Sequence, residues 1–285
     1  MSFPKMIMKS ILEALKKRID EADAIVIGAG AGLSTASGFV YGGDYFLKEF
    51  PEMNRKYGYT DMYGASFHDF ATPEERWGFW SKMIYLNRYQ GAKPLYLDLL
   101  KVVSGKDYFV ITTNVDHQFQ LAGFDKKRLF YTQGDYGLFQ CSKACHQKTY
   151  DNEAIIKEML KQRKDGLVPA FLVPHCPVCG EEMEVNLRKD DLFVQDKGWE
   201  EASLRYSKFI DEHKAKRVLF LELGVGFNTP VIIKYPFMRM TYQNPNAFYV
   251  CVNLGYNYVP PELENRSLLV DGDLGEIITT LAKTK

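Results

Sequence analysis

The apolar positions of this chain follow two kinds of pattern. Ile11, Leu12, Leu15 and Ile19 recur at helical spacing, which predicts an amphipathic helix near the N-terminus. Six further stretches are short, continuous apolar runs without polar alternation, as expected for strands that are buried on both faces of a parallel sheet. These runs cover residues 24–27, 108–112, 129–131, 218–223, 247–253 and 267–270.

The segments between the runs are long enough for helical crossovers. The pattern therefore predicts an α/β fold: a doubly wound, parallel, six-stranded Rossmann-like sheet with a small zinc module and a helical insertion. We expect the Rossmann-like domain to comprise residues 1–43, 91–136 and 196–285, the helical module residues 44–90 and the zinc module residues 137–195. Aromatic residues crowd the helical module, where we expect them to form its core; direct ligand contact is the alternative.

A glycine-rich segment, GAGAGLSTASG at residues 28–38, follows the first predicted strand. Glycines at this place let a backbone approach a pyrophosphate, while the amides of the next helix face its charge. The ordinary dehydrogenase fingerprint fails, because its third glycine would fall on Leu33 and no clear strand with an acidic ribose ligand follows. The segment thus indicates a dinucleotide-binding site in a protein other than a standard hydride-transfer enzyme. The alternative is that it forms only a tight turn between a strand and a helix and binds no phosphate.

Four of the five cysteines form two close pairs, Cys141 with Cys145 and Cys176 with Cys179. In a chain without a secretion signal, this spacing favours a metal over disulfides. Four thiolates satisfy Zn²⁺ tetrahedrally and leave no open position, so we predict one structural zinc.

The neighbours of these pairs add three expectations. His146 and His175 lie beside the pairs and are alternative ligands. A helix is predicted between the pairs, capped by Asp151 and stopped at Gly166. Cys251 lies in an apolar run, so we expect it to be a buried small hydrophobe.

The chain has 36 basic and 36 acidic residues, so it has no net charge that would attract nucleic acid or an anionic membrane. The first ten residues lack a signal-peptide pattern, and no apolar run approaches a bilayer-spanning length. We therefore expect a soluble cytoplasmic protein with no nucleic-acid or membrane partner. In the stretch at residues 157–164, basic residues alternate with apolar positions, which indicates a solvated helix face. The stretch therefore does not favour the alternative of a zinc-ribbon protein that binds nucleic acid.

The order of these features resembles the sirtuins over essentially the whole chain. Residues 30–38 match the first family signature, and residues 112–116 (TTNVD) match the second. Gly224-Val225-Gly226 is similar to the family's Gly-Thr-Ser loop, and Val252-Asn253 to the segment that holds the adenosine ribose. The resemblance implies NAD as co-substrate beside a structural zinc.

Two departures separate this chain from the sirtuin deacylases. Their Asp-Phe-Arg segment is replaced by Phe-Val-Tyr-Gly-Gly at residues 39–43, and their catalytic histidine by Gln133. A general base contributes about 100- to 10,000-fold, and a carboxamide does not titrate. Both changes resemble the macrodomain-linked bacterial sirtuins, which implies protein mono-ADP-ribosylation of a lipoyl-carrying protein related to the glycine-cleavage H protein. A macrodomain hydrolase and a lipoate ligase are the further partners that this resemblance implies.

The resemblance also implies roles for individual residues. Asn114 would contact the nicotinamide ribose or position the acceptor, Gln133 would orient the ribose hydroxyls, and Asp116 would bind the nicotinamide amide. Caps of local structure are the alternatives for Asn114 and Asp116. We expect no catalytic role for His117. The NAD-binding set is Gly30, Ala31, Gly32, Ser34, Thr35, Thr113, Asn114, Asp116, Gln133, Gly224, Val225, Asn253, Leu254 and Asp271, with Asp273 as an alternative to Asp271.

The leading hypothesis is thus a zinc-stabilised ADP-ribosyltransferase that consumes NAD. The alternatives are an NAD-dependent protein-lysine deacylase and a catalytically inactive NAD-binding sensor. Release of nicotinamide that depends on an acyl-peptide distinguishes the first alternative, and binding of NAD without its consumption distinguishes the second.

Overall fold

The computed structural model of this protein describes residues 3–227, 230–255 and 257–284. The strands in this part of the chain are β1 Ala24–Ala29, β2 Tyr108–Thr112, β3 Leu129–Tyr131, β4 Gly134–Cys141, β5 Tyr150–Asp151, β6 Met183–Leu187, β7 Val218–Leu223, β8 Phe248–Asn253 and β9 Ser267–Asp271.

Helices surround these strands, and three short 3-10 helices add to them at Lys126–Arg128, Ala170–Leu172 and Pro261–Arg266. The α-helices are α1 Phe3–Glu21, α2 Ala31–Ala36, α3 Gly43–Glu49, α4 Pro51–Tyr57, α5 Met62–Ser66, α6 Pro73–Arg88, α7 Pro94–Val103, α8 Gln118–Leu121, α9 Glu153–Gln162, α10 Lys197–His213, α11 Lys234–Gln243 and α12 Leu274–Lys283. No helix in the described ranges is long and apolar enough to cross a bilayer.

All six predicted strands form one parallel sheet in the order β3-β2-β1-β7-β8-β9. One face packs on α1, α7 and α12, for example through Leu15, Leu99 and Ile277. The other face packs on α10 and α11 through Phe209 and Phe237. The predicted fold class is confirmed. The strand order reverses between β1 and β7, so the loops that follow these two strands meet at the switch point where such sheets bind ligands.

A second sheet, antiparallel and in the order β5-β4-β6, was not predicted. Nearly every residue of β4 is buried, so its sequence lacks the alternation of a half-exposed strand. β6 does carry a signal, since polar Glu184 lies between buried Met183 and Val185. This small sheet forms the body of the zinc module.

The helix predicted between the cysteine pairs exists as α9, but both predicted ends are wrong. Asn152 is its N-cap, while Asp151 ends β5 and accepts a hydrogen bond from Glu153 N at 3.1 Å. The helix stops at Gln162, four residues before Gly166. Arg163 leaves the helical conformation and donates to Gly78 O at 2.7 Å, so a tertiary contact ends the helix and no glycine cap is needed.

The helical and zinc modules share one hydrophobic core. Trp77 of α6 packs edge-on against Phe139 of β4 with ring centroids 4.8 Å apart, and Ile156 of α9 joins the same cluster. Four rings of the helical module are buried in this core and seven more are partly buried against it, as expected, but Tyr63 and Phe67 are 70% and 65% exposed. The domain boundaries stay a prediction, while the packing joins these two insertions into one body.

We predict that Gly78→Ala destabilises the protein although it lies inside α6. Alanine normally stabilises a helix interior by about 1 kcal/mol relative to glycine. A Cβ at Gly78, however, would overlap the Gly166 carbonyl oxygen, and such overpacking costs about 1–3 kcal/mol. Urea unfolding should therefore show a net loss of stability, whereas Gly198→Ala in α10, which meets only Asp196 Oδ1 at 3.3 Å, should show none. Equal effects of the two substitutions would contradict this packing.

Candidate active site and zinc centre

Glycines interlock the two loops at the switch point of the large sheet. A Cβ on Gly30 would lie 2.7 Å from Gly224 O, and a Cβ on Gly32 would lie 2.8 Å from Gly224 Cα. Gly224 has φ +64, which favours glycine. The N–H groups of Gly30 and Gly32 donate to the carbonyls of Leu223 (3.0 Å) and Gly224 (2.9 Å). The glycine pattern is thus explained by loop packing as well as by a close approach to phosphate.

This packing changes how a phosphate cradle can work. The N–H groups of Gly30 and Gly32 are already used by the protein, so these residues offer close approach without free donors. Ala31 is the exposed first residue of α2, where helical N–H groups have no intrahelical acceptor. Thr35 donates to Ala31 O at 3.2 Å within its own helix.

A cleft of 1050 Å³ opens beside this loop, between the carboxyl ends of β1 and β2, the segment from α5 to α6, and β6. Its walls bring together five of the predicted site residues. They are Ala31, Ser34, Thr113, Asn114 and Asp116.

Asn114 joins the ends of β2 and β1. Its Nδ2 donates to Gly30 O at 3.0 Å and lies 3.4 Å from the Tyr96 hydroxyl, while its backbone N donates to Thr112 Oγ1 at 3.0 Å. Because Gly30 O can only accept, the amide nitrogen is fixed on that side and Oδ1 is the free acceptor. The side-chain contacts reach across the sheet, so they differ from the local cap that was the alternative.

Asp116 is 3% exposed and uses both carboxylate oxygens. Oδ2 accepts from the Ser34 hydroxyl at 2.5 Å, and Oδ1 accepts from Gln118 N at 3.0 Å at the start of α8. Burial raises the pKa of Asp116, and the Ser34 hydrogen bond partly offsets that rise. The carboxylate therefore supports the start of α8, where His117 is the N-cap, and Asp116 also lines the cleft. Its binding of the nicotinamide amide stays a prediction.

Gln133 does not line the cleft in the described structure. Its Nε2 donates to Thr132 Oγ1 at 3.3 Å, and its carbonyl accepts from Arg188 N at 3.0 Å. The Arg188 side chain does line the cleft. Gln133 is thus connected to the cleft only through its backbone contact with Arg188, and it is not brought together with Asn114. Its predicted role stays a prediction.

His117 is tied to a buried carboxylate outside the cleft. Its Nδ1 contacts Asp135 Oδ2, and Arg88 Nε donates to Asp135 Oδ1 at 3.0 Å. His117 has φ +64 and is the N-cap of α8. This network holds the start of α8 against β4.

Sequence reasoning missed Tyr41, Tyr96 and Arg188, which line or adjoin the cleft. Tyr41 lies in the segment that departs from the deacylases, and burial, with Tyr136 and Asp116 nearby, raises the pKa of its hydroxyl. Tyr96 looks in sequence like any apolar position of α7. Arg188 carried a signal, because it directly follows the alternation of β6.

The other predicted NAD-binding residues lie along the adjoining edge formed by β7, β8 and β9, outside the cleft. Asn253 Nδ2 donates to Val225 O at 2.9 Å, and Asn253 Oδ1 accepts from Leu254 N at 3.0 Å. Asp271 Oδ1 accepts from Gly255 N at 2.9 Å. These hydrogen bonds hold the loops after β7, β8 and β9 next to the contact between Gly224 and the loop after β1. Asp273 caps α12 by accepting from Glu276 N at 2.9 Å.

A fully buried ion pair lies beneath the loop after β7. Lys234 Nζ contacts Glu222 Oε1, and both side chains have no exposed surface. Tyr249 donates its hydroxyl to Glu222 Oε2 at 2.6 Å, and the Cys251 thiol donates to Glu222 Oε1 at 3.3 Å. Burial and the neighbouring carboxylate raise the pKa of Cys251 to about 12. Cys251 is buried in the hydrophobic core as predicted, and its thiol has the polar contact with Glu222 in addition.

The four predicted zinc ligands converge, with all their sulfur atoms within 4.8 Å of one another. Sγ of Cys141 lies 3.5 Å from Sγ of Cys179, and Sγ of Cys145 lies 3.6 Å from Sγ of Cys176. Tetrahedral zinc with Zn–S bonds of about 2.3 Å requires sulfur separations of about 3.8 Å, so the cluster fits a structural zinc.

The two candidate histidines lie outside this sulfur set. His146 Nδ1 is 3.1 Å from Cys145 Sγ, and its Nε2 contacts the Tyr150 hydroxyl at 2.8 Å. His175 turns its Nδ1 to Val173 O at 2.9 Å. His146 is therefore placed to hydrogen-bond a thiolate, as partners of metal ligands commonly do.

We predict that Cys176→Ser removes the metal, whereas His146→Gln retains it. Loss of one thiolate from a closed four-sulfur site should reduce zinc from about one to below about 0.2 per chain, and should lower the thermal midpoint by about 5 °C or more. Elemental analysis and differential scanning calorimetry of the purified variants measure both effects. Full zinc content in Cys176→Ser, or metal loss in His146→Gln, would contradict this ligand set.

Comparison with known proteins gives relatives over nearly the whole chain, although no family model matches it. The chain is 42% identical over 270 residues to a protein ADP-ribosyltransferase of Staphylococcus aureus (strain Mu50 / ATCC 700699), which covers 94% of this chain and 86% of that protein. It is 29% identical over 291 residues to a probable bifunctional ADP-ribose hydrolase/ADP-ribosyltransferase of Fusarium oxysporum f. sp. cubense, covering 95% of this chain and 47% of that protein.

Solved sirtuin structures share the fold. A structure from work on sirtuin substrate affinity matches with a TM-score of 0.60 and 21% identity, over 100% of this chain and 99% of that one. A Sir2 homologue solved as an NAD complex matches with a TM-score of 0.56 and 16% identity, over 95% of this chain and 93% of that one. At these identities the similarity shows the shared fold alone.

Proposed function

Because this chain belongs to the protein ADP-ribosyltransferases and has the sirtuin fold, we propose that it transfers ADP-ribose from NAD to a lipoyl-carrying protein related to the glycine-cleavage H protein. The fold and the four-cysteine cluster fit NAD as co-substrate and zinc as a structural ion. Reduced cysteines in such a cluster favour the cytoplasm as the place of action.

One observation carries the preference for transfer over deacylation: the inner cleft offers no imidazole beside Asn114. Among the described residues that line the cleft, the one histidine is His68. Its ring lies among the aromatic rings of Tyr57 (centroids 3.9 Å apart) and Phe70 (4.8 Å). Asp116 already accepts two hydrogen bonds. Deacylation needs a base that deprotonates a ribose hydroxyl, and the site provides none in a free state.

Transfer makes a smaller demand on these side chains. The bond between nicotinamide and the ribose carbon breaks, and its electron pair leaves on nicotinamide. A nucleophile of the carrier then bonds to that carbon and loses its proton to solvent. Asn114 Oδ1 is the acceptor that can hold a ribose hydroxyl during this exchange, and Asp116 is a carboxyl group of the same cleft that can offset a developing positive charge.

The apolar side chains of the cleft support an apolar arm as the part of the acceptor that enters it. Trp77, Trp80, Phe70 and Met83 line it, and aromatic rings and thioethers pack well against flexible chains that contain sulfur. Arg188 and Lys189 are exposed cations that also line the cleft. These walls fit a lipoyl-lysine arm that extends from a carrier protein.

The relative from Fusarium supports a reversible modification. Its name joins an ADP-ribose hydrolase to an ADP-ribosyltransferase in one protein, of which this chain spans 47%. We propose a separate macrodomain hydrolase as the partner that removes the modification here, and a lipoate ligase as the enzyme that prepares the carrier.

We predict that purified protein incubated with NAD adds one ADP-ribose to a lipoylated H-like carrier and none to its unlipoylated form. Intact-mass spectrometry of both carriers, with an acetyl-lysine peptide in parallel, makes the comparison in one experiment. Deacetylation of the peptide, with no ADP-ribose added to either carrier, would contradict the proposed transfer and support an NAD-dependent deacylase. Binding of NAD without release of nicotinamide, with every acceptor present, would identify an inactive sensor.

We predict that Asn114→Ala slows nicotinamide release by about 100-fold, because one buried, oriented hydrogen-bond partner of the reacting ribose is commonly worth that much. Asn246→Ala is the matched control, since its Nδ2 donates to Ala215 O at 3.0 Å away from the cleft. Chromatographic measurement of nicotinamide gives both rates. An unchanged rate in Asn114→Ala would exclude Asn114 from the reaction.

A further inference from the structure

A row of four polar side chains crosses the inner wall of the cleft: Asn114, Tyr96, Ser34 and Asp116. Asn114 Nδ2 lies 3.4 Å from the Tyr96 hydroxyl, which lies 3.4 Å from Ser34 Oγ, which in turn lies 2.5 Å from Asp116 Oδ2. All four residues are at most 9% exposed, and Tyr96 is fully buried. Neither the sequence motifs nor the reaction described above involve Tyr96.

The direction of these hydrogen bonds follows from what each group can do. The Asn114 amide nitrogen only donates, and an ionised Asp116 only accepts. Ser34 gives its single proton to Asp116 at 2.5 Å, so the Tyr96 hydroxyl must give its own proton to Ser34. Tyr96 then accepts from Asn114. All three bonds point the same way, from the amide to the carboxylate, and the bonds of such a chain polarise one another.

Tyr96 is the rigid member of this chain. Its ring packs edge-on against Phe119 with centroids 5.0 Å apart, and α7 carries it in the core of the large sheet. Gly30 O holds one side of the Asn114 amide at 3.0 Å, and the Tyr96 hydroxyl supplies the second point that defines the plane of that amide. The orientation of Asn114 Oδ1 in the cleft thus depends on the hydroxyl of a fully buried residue that is not among the described residues lining the cleft.

We infer that Tyr96 is a positioning residue for the transfer reaction, which sets the orientation of Asn114 through the hydrogen-bond chain that ends on Asp116. The inference rests on the proposed function, in which Asn114 contacts the reacting ribose. It assigns to Tyr96 an effect on the chemical step that is separate from the binding of NAD.

The test is Tyr96→Phe, which removes the hydroxyl and keeps the ring. We expect kcat for nicotinamide release to fall about tenfold while KM for NAD changes by less than about twofold, because an interaction that acts only in the reaction alters kcat alone. Tyr206→Phe is the matched control: Tyr206 is a partly buried tyrosine of the same domain, packed against Phe130 and Phe109, and its substitution should leave both constants unchanged. Thermal midpoints of the two variants should agree within about 3 °C.

Ser34→Ala and the double variant with Tyr96→Phe provide the second measurement. If both residues act through one chain, the double variant should be no slower than the slower single variant, whereas independent effects multiply. Unchanged kcat in Tyr96→Phe, a parallel change in kcat and KM, or multiplying effects would each overturn the inference. If Tyr96→Phe fails to fold, the hydroxyl is structural and the inference is likewise wrong.

Nicotinamide release without a carrier keeps this test separate from the choice of acceptor. If the lipoylated carrier stays unmodified while Tyr96→Phe still slows release to water with KM unchanged, the proposed acceptor fails and the role of Tyr96 stands. If the carrier is modified at equal kcat by the wild type and Tyr96→Phe, the acceptor stands and the role of Tyr96 fails.

Discussion

The structure depends on the close contact between the loops after β1 and β7. Gly30, Gly32 and Gly224 meet backbone to backbone, and no side chain fits between them. This contact fixes the position of the turn between β1 and α2, and therefore the position of Ser34 at the cleft. It also fixes the Gly30 carbonyl that holds Asn114. A steric constraint among three glycines thus determines the positions of polar groups on α2 and in the segment after β2.

Buried polar groups secure this contact from both sides. Glu222 and Lys234 form a fully buried pair below the β7 loop, and Asp116 anchors a hydrogen-bond chain beside α2. Breaking a buried pair by removing one partner costs about 3–5 kcal/mol, because an uncompensated charge stays behind. Such groups define one arrangement of the loops more strictly than apolar packing alone does, since each needs its partners at fixed distances.

The sequence predicts the large sheet and the metal cluster well because both depend on local patterns. Continuous apolar runs identify buried parallel strands, and paired cysteines identify ligands whatever the path between them. β4 escaped prediction because it is buried at nearly every position yet contains polar Asp135 and Gln140, so its sequence shows neither alternation nor a continuous apolar run. Tyr96 and the end of α9 at Arg163 depend on contacts between residues far apart in the chain, so no local pattern could indicate them.

The core shared by the helical and zinc modules has a consequence for how the protein responds to its surroundings. Trp77 belongs to this core and also to the cleft wall, and Cys141 and Cys176 belong to the same cluster. Local unfolding proceeds in contiguous cooperative units, and this shared core places the cysteine cluster and part of the cleft wall in one such unit. A disturbance at the cysteines would therefore reach the cleft through packed side chains, without passing through the large sheet.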